Sequence, residues 1–138
     1  MRHPIISTAA LITVIFIGMD NSIATPNIEE GLWEITSKME MEGIPFAMPA
    51  SSHKKCLANK DLVPQKEEEG QKCKVKKRNV KGNTVEWEMD CKGRGGKMNS
   101  KGEVTYSGTS MKGTMLISVE GQPPMKNTMT GKRIGPCK

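Results

Sequence analysis

The side chains with reactive potential here are four cysteines, eleven methionines and a surplus of bases that sets the formal net charge at +6. Cys56, Cys73, Cys91 and Cys137 contain no C-x-x-C pair and none of the close spacings of zinc ribbons or redox motifs, so an even set of four reads as two disulfides rather than a metal site. Thioethers suit Cu(I). Met1 and Met19 fall in an N-terminal leader, which leaves nine methionines, and Met39 and Met41 form the pair that an alternative soft-metal site would use. Most of the nine stand on the inward parity of strands, where a flexible apolar filler is expected, so packing is the first reading for them.

The basic residues offer a second chemistry. Lys92, Arg94, Lys97 and Lys101, with Lys112, Lys126, Lys132 and Arg133 on later segments, suit an acidic lipid head group, a polysaccharide or an acidic protein. The competing reading is a lysine-protected surface that keeps strand edges from pairing with other chains. Arg94-Gly95-Gly96 lacks the interleaved aromatics of a nucleic-acid segment, so no nucleic-acid partner is expected. A small exported protein inhibitor is a further alternative, although a basic target such as a lysozyme would be repelled by this domain.

Catalytic constellations are missing from the sequence. Beyond the leader there is one histidine, His53, beside Lys54 and Lys55 in a loop or edge strand. Ser110 sits in Gly108-Thr109-Ser110-Met111-Lys112, which is no G-x-S-x-G elbow. Gly131-Lys132 is followed by Arg133, which is no phosphate loop. No enzymatic activity and no cofactor are expected.

The element that positions the cysteines is Lys72 to Cys91. Folding it about Lys81-Gly82-Asn83 places Cys73 opposite Cys91 and Val75 opposite Met89. On the other face the same register pairs Lys74 with Asp90, Lys76 with Glu88 and Arg78 with Glu86. Gly82 and Asn83 would supply the positive φ of a three-residue loop. The pairing leaves Cys56 for Cys137, and matching each carboxylate to a base removes Glu86, Glu88 and Asp90 as a catalytic cluster. It also sets Lys77 opposite Trp87, as a cation over the indole.

Other segments alternate with the period of a half-buried strand. Gly31 to Met41 turns Trp33, Ile35, Ser37, Met39 and Met41 to one face. A short strand follows through Ser51 to Cys56, then one helical turn over Leu57 to Leu62 and a solvated loop from Lys66 to Gly70. Lys92 to Lys101 reads as a glycine-rich loop. Glu103 to Ser107, Ser110 to Glu120 and Met125 to Ile134 complete the pattern, with Met111, Gly113, Met115, Ile117 and Val119 inward on the second of these. The expected fold is all-β, an antiparallel meander of about seven strands closed into a small barrel or a strongly curved sheet.

Residues 1–24 are expected to be a cleaved signal peptide. Met1-Arg2-His3 is basic, Ile5 to Ile17 is apolar but short of the roughly 20 residues of a membrane span, and Ser22-Ile23-Ala24 suits signal peptidase. Residues 25–138 would form one domain in the periplasm or cell envelope, or be secreted, without a membrane anchor.

Gly31-Leu32-Trp33-Glu34, Met39 and Met41, the four cysteines, Asn83-x-Val85-x-Trp87, Tyr106-Ser107-Gly108, Met111-Lys112-Gly113 and Gly131-Lys132-Arg133-Ile134-Gly135-Pro136-Cys137 together resemble domain-of-unknown-function family 3617, small exported proteins of Gram-negative bacteria. The resemblance implies an exported location and a β-rich fold, and transfers no functional residue. The expected role is a non-enzymatic binding or structural module.

Overall fold

A computed structural model describes residues 25–46, 48–65 and 69–138; the expected signal peptide and part of the Lys66 to Gly70 loop lie outside them. Seven strands run β1 (Gly31–Met41), β2 (Ser51–Leu57), β3 (Lys72–Lys81), β4 (Thr84–Gly93), β5 (Gly96–Ser107), β6 (Ser110–Val119) and β7 (Met125–Gly135). All pairs are antiparallel, in the order β2-β1-β7-β6-β5-β4-β3, and the sheet curls into a half-barrel. Its edges, β2 and β3, do not pair with each other, so the sheet is curved rather than closed. Both expected disulfides, Cys73–Cys91 and Cys56–Cys137, are present.

Two segments differ from expectation. Lys92 to Lys101 is mostly extended, because Lys92 pairs with Lys97 and Gly93 with Gly96, leaving only Arg94 and Gly95 to turn the chain. Leu57 ends β2, and Ala58 to Asp61 makes a tight turn closed by Asp61 N–H to the Ala58 carbonyl at 2.8 Å, with no helical turn.

The β3–β4 hairpin keeps the expected register only from Lys72 to Val75. A bulge at Lys76 then moves every later partner by one, so Lys77 faces Glu88, Arg78 faces Trp87, Asn79 faces Glu86 and Val80 faces Val85. The loop is two residues, Gly82-Asn83, and only Gly82 has positive φ (57°), as a type II′ turn requires. Exposed ion pairs contribute at most about 1 kcal/mol each, too little to set a register against burial. Without the bulge, Lys77 and Asn79 would point inward under Trp87 and Val85. With it, Val80 packs toward the buried Val85 and Lys77 faces solvent. The expected Lys77–Trp87 stacking is thereby removed.

The concave face is covered from β2 by a strap, residues 58–65. Leu62, Val63, Pro64 and Gln65 are buried against it. Tyr106 Oη donates to the Leu62 carbonyl at 2.6 Å, and Ser100 Oγ to Gln65 Oε1 at 2.8 Å, both from β5 in the middle of the sheet. Lys55 Nζ donates to the carbonyls of Val63 (2.8 Å) and Gln65 (3.2 Å), and Arg78 reaches those of Lys60 (3.1 Å) and Asn59 (3.2 Å). One cation from each edge strand therefore ties the strap down, Lys55 at part-buried carbonyls and Arg78 at exposed ones.

Candidate functional site

The inner face is divided in two. At the end where β1 begins, Trp33, Ile35, Leu57, Leu62, Val85, Val104 and Tyr106 pack without remainder, Trp33 and Tyr106 meeting edge to face at 6.0 Å. Toward the other end, methionine replaces branched and aromatic side chains, and a cavity of about 390 Å³ opens between the strap and the sheet. Met39, Met98, Met115, Met125 and Met129 line it. The alternation that makes β1, β5, β6 and β7 strands is what brings these five sulfurs to one side: Met39 pairs with Asn127, Asn127 with Met115, and Met125 with Ile117.

Polar side chains also line the cavity: Ser37 and Asn127 from β1 and β7, Ser51, Ser52 and His53 from β2, and Gln65 and Gln71 from the segment between β2 and β3. His53 stands on the inner parity of β2, half-buried, with Nε2 3.3 Å from the Pro64 carbonyl, rather than in the solvated position expected of it. Asn127 is 4 % exposed, and its Oδ1 accepts no hydrogen bond among the described residues. The β1–β2 connection exposes Ile44, Phe46 and Met48, with Phe46 80 % exposed, and none of the three is among the residues that line the cavity.

Met39 is thus part of the cavity, while its expected partner Met41 pairs across strands with Met125 and is not among the lining residues. The sequence could have shown the rest of the cluster: Met98, Met115, Met125 and Met129 share inward parity, but Met98 was hidden by taking its segment as a loop.

The basic residues do not form one patch. Lys92 and Lys97 are cross-strand partners, with Lys72 next to them and Arg94 in the adjoining turn. Lys132 pairs with Ser110, which pairs with Ser107. Ser107 lies ten residues beyond Lys97 on β5, about 33 Å along the strand. Arg133 is turned the other way and donates from Nε to the Glu30 carbonyl at 2.8 Å. Lys101 and Lys126 flank the half-exposed Leu116 in an outer-face groove of about 600 Å³, where Glu86, Glu88 and Glu103 offset their charge.

The carboxylates of β4 keep basic or amide partners, but not the expected ones. Asp90 bonds Lys76 at 3.3 Å and accepts from Asn99 Nδ2 at 2.7 Å. Those contacts, Asn99 first, hold its carboxyl below the usual value against a smaller opposing effect of burial. Glu88 meets Lys101 at 3.8 Å, and Glu86 meets Lys81 at 3.2 Å, in place of Lys76 and Arg78. The bulge is the cause of the exchange. No group of three or more His, Cys, Asp or Glu side chains is placed to hold a metal among the described residues.

No curated protein and no solved structure matches the chain. One family model does, over residues 28–137, from the strand-like bridge at Ile28 to the last cysteine, and its description is a protein of unknown function. With the seven-strand half-barrel and both disulfides inside that span, the chain belongs to the DUF3617 family.

Proposed function

We propose that this protein is a non-enzymatic binding module of the periplasm or cell envelope that holds a small apolar molecule in the methionine-lined cavity. One observation carries the reading: five of the nine methionines outside residues 1–24 face a single cavity of about 390 Å³ instead of closing it. Methionine is unbranched and polarizable, so a wall built from it fits ligands of different outline. The volume is within the range of about 300–1,000 Å³ typical of small-molecule sites. An engineered apolar cavity of about 150 Å³ holds benzene, which scales to a ligand of roughly fifteen non-hydrogen atoms here. Two disulfides and the short apolar leader support an oxidising, extracytoplasmic location.

The test is titration with N-phenyl-naphthylamine, whose emission rises in apolar surroundings. Saturable binding of one molecule per chain is expected, and it should be lost when Ser37→Phe fills the cavity from β1. Absence of saturable enhancement in the wild type refutes the reading.

The same convergence favours a second reading, a soft monovalent cation such as Cu(I) or Ag(I) held by the thioethers, with Met39 the one residue shared with the sequence expectation. Calorimetry with Ag(I) separates the two: a stoichiometric complex that Met39→Leu with Met125→Leu abolishes supports the metal, and no heat of binding removes it.

A further inference from the structure

We propose that the molecule held in the cavity carries a hydrogen-bond donor, an alcohol or phenol O–H, and that Asn127 Oδ1 receives it. The inference rests on the reading of the cavity as a ligand site and adds the chemical class of the ligand. Asn127 projects from near the start of β7 between Met125 and Met129, on the face where every neighbour in its cross-strand row is apolar or glycine: Met39 on β1, Met115 on β6 and Gly102 on β5. A strand inward position among methionines is where an apolar residue is expected; the amide is the exception.

A buried carbonyl oxygen without a donor loses its water and gains nothing in return, which makes it the kind of group that natural structures pair. Here Oδ1 is buried in a residue 4 % exposed, has no partner among the described residues, and belongs to a side chain lining the cavity. Among the other polar groups along the wall, Ser52 shares a hydrogen bond with Thr36 at 2.8 Å, and Gln65 and His53 are also engaged. Ser100 donates to Gln65, and His53 is bonded to the strap at Pro64. The unmet demand in the cavity is for a donor, and an O–H on an otherwise apolar molecule supplies it while the thioethers surround the remainder. A soft cation would leave this hard oxygen unmet, so the same observation favours the organic ligand over Ag(I) or Cu(I).

The experiment uses a matched pair that differs only in the donor, naphthol and its methyl ether, titrated calorimetrically against the disulfide-bonded protein. Wild type should bind naphthol about ten- to a hundred-fold more tightly than the ether, the range set by leaving one buried acceptor unmet. Asn127→Leu should bind the two equally. The Asn127 side-chain amide resonance in wild type should move with naphthol and not with the ether, a readout that needs no variant. Equal affinity of wild type for both molecules overturns the assignment of Asn127 while leaving the cavity reading intact. Failure of both to bind, with no response to N-phenyl-naphthylamine, overturns the cavity reading as well.

Discussion

Replacing Cys56 and Cys137 together by alanine removes the outer disulfide without opening a hole, because both residues are exposed. The loss should therefore come almost wholly from the denatured chain. The two bridges are nested: Cys73–Cys91 closes 18 residues inside the 81 residues spanned by Cys56–Cys137. With the inner bridge kept, the outer one closes an effective loop of about 63 residues, which the chain-entropy relation converts to ~4 kcal/mol. A domain of this size has a total stability on the order of 5–15 kcal/mol, so the variant should stay folded but lose a large share of its margin. Urea unfolding followed by tryptophan emission measures it. The midpoint should fall, and the denaturant slope should rise because the freed chain exposes more surface when unfolded. A loss below about 1 kcal/mol with an unchanged slope would refute the argument that this bridge acts by restricting the unfolded chain.

Other outcomes follow from single contacts. A Cβ at Gly102 would lie 2.8 Å from Cη2 of Trp87, so Gly102→Val should displace the indole, reduce stability by about 1–3 kcal/mol and red-shift the emission. Tyr106 is the single tyrosine, and burial, with Asp61 adding to it, raises its hydroxyl well above the ordinary value. The folded pKa being above the unfolded value of about 10, the stability it contributes is fully present below that pH and is lost as pH climbs beyond it; tyrosinate absorbance should appear only together with unfolding, and titration near pH 10 in folded protein would contradict this. Tyr106→Phe, which leaves the Leu62 carbonyl without its donor, should reduce stability by about 1–3 kcal/mol, measured by urea unfolding.

What the sequence showed of this fold follows from where burial acts on both sides of a strand. β1 and β6 were legible in full, because each alternates against a packed face and a one-residue slip would expose Trp33 or Met115. β3 was legible as a strand, but its register only to Val75. It is an edge strand exposed along most of its length, and its charges match in more than one register, so the bulge at Lys76 left no pattern in the residue types. β5 was shortened by half because Gly95, Gly96 and Gly102 imitate a loop. Gly102 is in fact the gap into which Trp87 fits, a role that only the neighbouring strand reveals. The strap was read as a helical turn, since carbonyls satisfied by Lys55, Arg78 and Tyr106 come from distant strands. The inward parity of the methionines was legible, but as core packing rather than as a cavity wall, and Asn127 was not, because its importance depends on having no partner.

The order β2-β1-β7 has a consequence for the chain as it emerges from synthesis. Strands β4 to β7 each pair with the strand just before them and can zip up in turn, whereas β1, the first to appear, meets its second neighbour only when β7, the last, has followed. Until then the β1–β2 ribbon presents Trp33 and Ile35 with no sheet beside them, an interval in which another newly made copy could donate its own β7. Delivery rate and local concentration, rather than the sealed native sheet, then decide whether the chain closes on itself or on a neighbour.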